Sequence, residues 1–445
     1  MEITIPRLSL VMLVGVSGSG KSSFAKKHFL ETEVLSSDFC RALMTDNEND
    51  QTVTQEAFEI LHFLARKRLE KGRLTVIDAT NVKPASRRPL VALAREYHVI
   101  PVAIVFDLPL EVCQKRTAAR NDRRLEPHVI PHQYDHLTRS LEILKEEGFR
   151  HIYILKTEEE ANTADFKRVP LKSDRRNDHG PFDIIGDVHG CCDELEILLQ
   201  KLGYEPGKAQ NIDPLWGDKI YIHPQKRKLV FLGDLMDRGP RNLDTMRLAR
   251  NMVQAGSALC VPGNHEIRLM HKLQGRNINM GYGLEKTLEE LKSLAEGQRK
   301  QFSGKMIEFI QGLTSHYVLD DGKLVLAHAG MRETMQGRSS AKVSEFAMYG
   351  ETKGESDLFG LPSRFPWILN YHGFATVVYG HTAVREPQWL NRTLNVDTGC
   401  VFGGKLAAWR YPEEEFVFAP ANMIYSTPRK PVSQVKVQGR NKPSL

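Results

Sequence analysis

The sequence predicts an α/β chain of two domains, and three observations predict it. Short apolar runs alternate with amphipathic stretches through the first third, the pattern of a parallel sheet flanked by helices. The first of these runs feeds a glycine-rich loop, Gly15-Val16-Ser17-Gly18-Ser19-Gly20-Lys21-Ser22. From Phe182 onward, further apolar runs each deliver a motif of Asp, His or Asn at their C-terminal end, where layered α/β folds place their sites.

In the first third, strands are expected near Leu10 to Val14, Val34 to Ser36, Leu74 to Ile77, Ile100 to Phe106 and Ile152 to Leu155. Between them, Thr54 to Lys71 carries Phe58, Leu61, Ala65 and Leu69 at helical spacing, with Gly72 as the stop. A second helix places Leu137, Leu141 and Leu144 on one face and is expected to end at Gly148. From Glu158 to Pro181 the pattern gives way to charged and polar residues. The expected division is therefore 1–160, a linker over 161–180, a second domain over 181–412 and a C-terminal extension over 413–445. In the second domain, strands are expected at Phe182 to Gly186, Leu229 to Leu232, Ala258 to Val261, Leu324 to Ala327 and Thr376 to Tyr379.

At 445 residues, 41% hydrophobic and 26% charged, the chain has the composition of ordinary globular domains rather than of a disordered or membrane protein. No stretch is long enough to span a bilayer, and Leu8 to Val16, which carries Ser9, reads as a buried strand rather than a signal-peptide core. The cysteines Cys40, Cys113, Cys191, Cys192, Cys260 and Cys400 show neither CxxC pairing nor zinc-like spacing, so reduced thiols and a cytoplasmic location are expected. A net charge of +6 is mild, but Lys115, Arg116, Arg120, Arg123 and Arg124 crowd one segment. The tail after Ser426 holds Arg429, Lys430, Lys436, Arg440 and Lys442 without an acid. Such stripes attract polyanions by counterion release, or are simply solvated faces.

The loop from Gly15 to Ser22 has the make-up of a P-loop. Gly15, Gly18 and Gly20, with Ser17 and Ser19, let backbone amides curl around phosphate oxygens at the start of a helix. Lys21 would neutralise the β and γ phosphates of ATP, and the Ser22 hydroxyl would hold Mg2+. After the second strand, Asp38 and Arg41 stand three residues apart. The carboxylate suits proton removal from an acceptor hydroxyl and the guanidinium suits a neighbouring phosphate, although Asp38 could equally cap a helix. Asp78 ends the third strand, where it could orient Mg2+, grip the acceptor or serve as a cap. Arg116, Arg120 and Arg123 fall at i, i+4 and i+7, the spacing of one helical face that could close over a triphosphate.

On Lys21, Ser22, Asp38 and Arg41, with the arginines Arg116, Arg120 and Arg123, the first domain resembles the P-loop polynucleotide 5′-kinases. The resemblance implies Asp38 as general base, Arg41 on the substrate phosphate and the three arginines on a lid.

The second set of motifs is more specific. It runs Gly186-Asp187-Val188-His189-Gly190, Gly233-Asp234-Leu235-Met236-Asp237-Arg238-Gly239, Gly263-Asn264-His265-Glu266, His328-Ala329-Gly330 and Gly380-His381. A pair of hard divalent cations needs oxygen and imidazole donors and one bridging carboxylate. The chemistry assigns Asp187 and His189 to one metal, Asn264, His328 and His381 to the other, and Asp234 to the bridge. His265 is placed to protonate a departing oxygen and Arg238 to clamp phosphoryl oxygens. Asp397 is expected to bind substrate or to support a histidine ligand. In order and wording these motifs resemble the calcineurin-like metallophosphoesterases, whose layered α/β/β/α sandwich is thereby implied for 181–412.

Together the halves resemble the bacterial polynucleotide kinase–phosphatases of RNA repair, over roughly residues 8 to 412. That resemblance implies an ATP-dependent 5′-hydroxyl kinase joined to a Mn2+- or Ni2+-dependent phosphatase for 2′,3′-cyclic, 2′ and 3′ phosphate ends of RNA, or of DNA. Relatives of that kind continue into a ligase domain; Lys436-Val437-Gln438-Gly439 does not supply its nucleotidyl lysine motif, so a separate RNA ligase is the expected partner. The alternatives are a small-molecule kinase fused to a diadenosine-tetraphosphatase-like or protein phosphatase, and a phosphatase regulated by ATP.

Overall fold

The computed structural model describes residues 1–120, 125–356, 362–364 and 367–428. The chain forms two compact units, one of Met1–Leu171 with Arg338–Ser340 and the other of Lys172–Gly337 with the chain from Ala341 onward.

The strands of the first unit are β1 (Glu2–Pro6), β2 (Ser9–Gly15), β3 (Val34–Ser36), β4 (Thr75–Asp78), β5 (Ile100–Phe106), β6 (His151–Leu155) and β7 (Asp165–Val169). Its helices are α1 (Lys21–His28), α2 (Ser37–Thr45), α3 (Thr54–Glu70), α4 (Pro84–Glu96), α5 (Leu110–Ala118), α6 (Val129–Leu141) and α7 (Glu158–Thr163). Five strands make a parallel sheet in the order β3-β4-β2-β5-β6. Its central strand is apolar on both faces. Leu10, Met12 and Val14 enter one core cluster and Val11 and Leu13 the other, which is what helices on both sides require. The strand order reverses at β2, and the loop after β2 opens there, at the C-terminal ends of the strands.

The second unit adds β8 (Asp174–Arg175), β9 (Phe182–Ile185), the hairpin β10 (Glu205–Asp213) and β11 (Gly217–Ile222), β12 (Lys228–Phe231), β13 (Ala258–Cys260), β14 (His316–Leu319) and β15 (Leu324–Ala327). They are followed by the pair β16 (Thr352–Ser356) and β17 (Pro362–Arg364), then β18 (Thr376–Tyr379), β19 (Gln388–Leu390), β20 (Thr393–Asn395), β21 (Lys405–Tyr411) and β22 (Glu415–Pro420). The helices are α8 (Cys192–Lys201), α9 (Asn242–Gln254), α10 (Asn264–Leu273), α11 (Leu284–Lys292), α12 (Glu296–Gly312) and α13 (Ala341–Tyr349). Two mixed sheets, β13-β12-β9-β21-β22 and β19-β20-β18-β15-β14-β8, face each other. Alternation along the strands builds the layers. Ile184, Val230, Leu324 and Leu326 enter the core between the sheets, Ile185 and Phe231 pack under α8 to α12, and Val325 and Ala327 pack under α13. The result is the α/β/β/α sandwich.

Four local expectations are corrected. Within 161–180, taken as linker, β7 pairs with β1 and β8 pairs with β14, because backbone ladders form there despite the polar side chains. Within 413–445, taken as an extension, β22 pairs with β21 through Glu415 to Pro420 and buries Ala419. The helix expected to reach Gly148 stops at Leu141, and turns follow. Helix α5 stops at Ala118, so Arg120 does not continue the helical face of Arg116. Arg123, Arg124 and the basic residues from Arg429 onward lie outside the described residues.

Candidate active sites

In the first unit, the loop from β2 to α1 needs glycine where its backbone turns left-handed, at Gly18 (φ 77°) and Gly20 (φ 93°). A Cβ on Gly18 would come within 2.4 Å of the Cys113 carbonyl oxygen. The loop is held from both sides. The Gly15 amide donates to the Thr80 carbonyl at 2.9 Å, and the Ser17 amide to Gln133 Oε1 at 2.8 Å. Lys21 Nζ folds back to donate to the Val16 carbonyl at 2.8 Å. The loop lines a cavity of about 660 Å³ that also includes Asp38, Arg41, Asp78, Arg116 and Arg120.

The parallel pairing of Ser36 with Asp78 brings α2 beside that carboxylate. Ser36, not Asp38, caps α2, accepting from the Phe39 amide at 3.4 Å, which leaves Asp38 available to the cavity. Asp38 accepts from Arg41, and Arg41, itself buried, also donates Nε–H to the Glu48 carbonyl at 2.8 Å. Burial pushes the Asp78 carboxyl above its usual range, against Lys21 and a hydrogen bond from Ser22. A buried carboxylate beside a serine hydroxyl at a phosphate loop is a donor set that fits Mg2+. Arg116 pairs with Glu158 at 3.0 Å, and both it and Arg120 line the cavity wall.

In the second unit the motif loops leave β9, β12, β13, β15 and β18 and meet at one end of the sandwich. Five of the residues that meet there hold left-handed backbone without being glycine: His189 (φ 48°), Asp234 (φ 47°), Asp237 (φ 71°), Arg238 (φ 72°) and His381 (φ 72°). Strain of this kind concentrates at functional sites. Asp234 is the shared member of two donor groups, one buried, with His189 and His265, the other with buried His328 and half-buried His381. Its Oδ2 lies 3.6 Å from His189 Nε2 and 3.4 Å from His328 Nε2. His328 Nε2 also lies 3.1 Å from Asn264 Oδ1 and 3.0 Å from His381 Nδ1. Asp187 accepts the His381 amide at 3.1 Å, which places it beside His328 and His381.

The histidines are aimed by backbone carbonyls, His189 Nδ1 at Met236 O and His328 Nδ1 at Leu232 O, both 2.8 Å, so Nε2 faces the centre. Five carboxyls, those of Asp187, Asp234, Asp237, Glu266 and Asp397, are buried together here. Burial and Asp397 drive Asp187 well up; burial and Asp234 push Glu266 to about 7; burial pushes Asp397 to about 6. Burial would raise Asp234 as well, but the charges of His328 and His265 hold it well below its usual range. A centre so rich in buried acid, with oxygen and imidazole donors converging, fits a pair of divalent cations.

Two residues that the sequence reading quoted without a role are central to the geometry. Glu266 accepts the amides of Asp234, Leu235 and Gly263, each at 2.8 Å, and so braces two motif loops. Asp237 holds His265, Nδ1 to Oδ2 at 2.6 Å, and accepts the Thr287 hydroxyl at 2.5 Å. A carboxylate three positions past Asp234 was visible, but only the fold shows which histidine it faces. Arg238 brings Nη2 to 3.2 Å from His265 Nε2 and lays its guanidinium over the Phe402 ring at 5.1 Å. Asp397 is buried and accepts the Gly399 amide at 3.0 Å.

Comparison with known proteins matches an AAA domain model over residues 10–144 and a calcineurin-like phosphoesterase model over 180–385. The asymmetrical bis(5′-nucleosyl)-tetraphosphatase of Anoxybacillus flavithermus is 44% identical over 244 residues, which cover 55% of this chain and 96% of that protein. The enzyme of the same description from Bacillus subtilis is 40% identical over 248 residues, 56% of this chain and 98% of its own. A crystal structure of a candidate diadenosine tetraphosphatase aligns over 56% of this chain and 96% of its own with a TM-score of 0.38 and 22% identity.

Proposed function

The chain belongs to the calcineurin-like phosphoesterase family, with an AAA-type P-loop domain ahead of the phosphoesterase, and from that premise we propose that it heals broken nucleic-acid ends. On this reading the first unit transfers the γ-phosphoryl group of ATP to a 5′-hydroxyl. The second removes 2′,3′-cyclic, 2′ or 3′ phosphates. The observation that carries the reading is the single cavity that joins the phosphate loop to Asp38 and Arg41.

A nucleotide switch needs the loop alone, whereas an acceptor needs a base and an anchor next to it. Asp38 would take the hydroxyl proton. Arg41 would bind the phosphate of the acceptor strand, and Lys21, Arg116 and Arg120 would balance the charge of the transferring group.

In the second unit, the donor cluster around Asp234 would hold two cations, which would supply Lewis acidity and activate a water. Arg238 would orient the phosphoryl group, and His265, held by Asp237, would give its proton to the departing ribose oxygen. Asp187, His189, Asp234, Asn264, His328 and His381 would hold the metals, for which Mn2+ or Ni2+ suits the mixed oxygen and imidazole donors. The product ends, 3′-hydroxyl and 5′-phosphate, are substrates for an RNA ligase.

The names of the relatives favour a second reading for the phosphoesterase half, hydrolysis of a dinucleoside tetraphosphate. The deciding experiment offers γ-labelled ATP with 5′-hydroxyl RNA and DNA oligonucleotides, and in parallel strands ending in 2′,3′-cyclic phosphate with Mn2+. Label transfer together with cyclic-phosphate removal is expected. Untouched strands alongside rapid cleavage of dinucleoside tetraphosphate would replace the repair reading with the second one.

A further inference from the structure

Behind the catalytic loops, Cys191, Glu194 and Cys400 bring two thiols and a carboxylate oxygen within 4.8 Å of one another, in an interior where none is more than 1% exposed. Cys191 caps α8 directly after the His189-Gly190 turn, and Glu194 stands in the first turn of that helix. Cys400 opens the short turn Cys400–Phe402 that follows Asp397. The three therefore join the two chain segments that carry His189 and Asp397.

The carboxylate is half satisfied. Glu194 Oε1 accepts the Asn422 amide at 2.9 Å and the Tyr425 hydroxyl at 2.8 Å. Oε2, equally buried, has no hydrogen-bond partner among the described residues. A buried carboxylate oxygen left unpaired is costly, and native interiors normally supply it with a donor or an ion.

We propose that this cluster is a third cation site of the phosphoesterase unit, one that takes zinc through Cys191 Sγ, Cys400 Sγ and Glu194 Oε2. Thiolates select zinc over the harder Mg2+ and Mn2+, so the ligand chemistry separates this site from the oxygen and imidazole centre. Tetrahedral zinc with bonds of about 2.3 Å to sulfur spaces its sulfur ligands by about 3.8 Å, inside the 4.8 Å within which the three donor atoms lie. The positive end of α8 offsets part of the added negative charge. Three protein donors leave one position for water. The ion ties the segment after His189 to the segment after Asp397, and its role is to fix the two against each other rather than to meet substrate.

Cobalt gives the test a readout separate from activity, because a thiolate bound to Co2+ produces an ultraviolet charge-transfer band and the catalytic centre contains no thiol ligand. The full chain, stripped with chelator and reloaded with Co2+, is expected to show that band. Cys191→Ser combined with Cys400→Ser, which removes both thiols, should lose it, and should carry one fewer equivalent of zinc per chain by elemental analysis. Glu194→Gln, which keeps both thiols, should retain the band but release zinc to chelator at least about tenfold faster. A cobalt-saturated wild-type chain without the band overturns the proposal, whether or not the variants fold. So does a band that persists in the folded Cys191→Ser, Cys400→Ser double variant. Thiol titration of the denatured chain under non-reducing conditions should find all six cysteines free. A count of four would make the pair a disulfide and overturn it as well.

Discussion

His265 Nδ1 stands 2.6 Å from Asp237 Oδ2, and both side chains are buried. Nε2 of the same ring faces Arg238, so in the proposed reaction Asp237 would orient the imidazole that gives its proton to the departing oxygen. Asp237→Asn should therefore lower kcat for phosphate release by about 10²-fold while leaving KM nearly unchanged. The loss should be large for a nucleotide ester, whose alkoxide leaves poorly, and small for p-nitrophenyl phosphate, whose phenolate needs little help. Equal losses on both substrates would point to a damaged metal centre instead. Asp237→Asn combined with His265→Ala should cost little more than His265→Ala alone.

Gly18 and Asp38 line one cavity but should fail in different ways. At Gly18 the backbone is left-handed, and an added Cβ would meet Cys113 O and Thr117 Oγ1 at 2.4 Å. Gly18→Ala should weaken ATP binding by calorimetry by at least about tenfold, since the amides that cradle the phosphates must move. Asp38→Ala should keep ATP binding and abolish transfer to a 5′-hydroxyl oligonucleotide. Unchanged transfer in Asp38→Ala would remove this residue as the base.

What the sequence made legible follows from how local each signal is. The P-loop was readable because strand, glycines, lysine and helix are contiguous, and β5 fell at its expected bounds because its residues form an unbroken apolar run. The phosphoesterase motifs were readable for the same reason, each being a few residues at one strand end. Polar strands were not: β7 and β8 have exposed or half-exposed side chains, and backbone pairing with β1 and β14 makes them strands. Relations between distant segments were also hidden. Glu266 looked like part of a motif, yet its work is to hold amides on the Asp234 loop. Cys191 and Cys400 showed no metal-like spacing in sequence, and only the packing of α8 against β21 and β22 sets them together.

Removal of one metal donor should separate the two activities. The first unit has its own core on both faces of its parallel sheet, and the second has its own between and around two sheets. Asp187→Ala or His189→Ala should thus silence phosphate release by at least about 10²-fold, the scale expected when a metal site loses a ligand. Kinase turnover on the same preparation should be preserved. A parallel fall in both activities would show that the variants disturb more than the metal centre.

A buried histidine of β14, paired across the sheet with Ala327, should set part of the acid stability. His316, in β14, accepts the Gly337 amide at Nε2 at 2.9 Å, and burial, aided by the charge of Arg176, lowers its pKa to about 4. The unfolded chain binds a proton at this residue near pH 6.5 whereas the folded chain does not until about pH 4. The neutral form therefore contributes stability that is fully present above pH 6.5 and is lost progressively as pH falls to about 4, where the folded protein also protonates. The total is about 3 kcal/mol, from 1.36 kcal/mol for each unit of the shift. Urea midpoints measured between pH 7.5 and 4.5 should fall for the wild type. They should fall less steeply for His316→Gln, whose amide oxygen can still accept from Gly337 but does not titrate. Identical slopes for the two proteins would mean that His316 is not the group responsible.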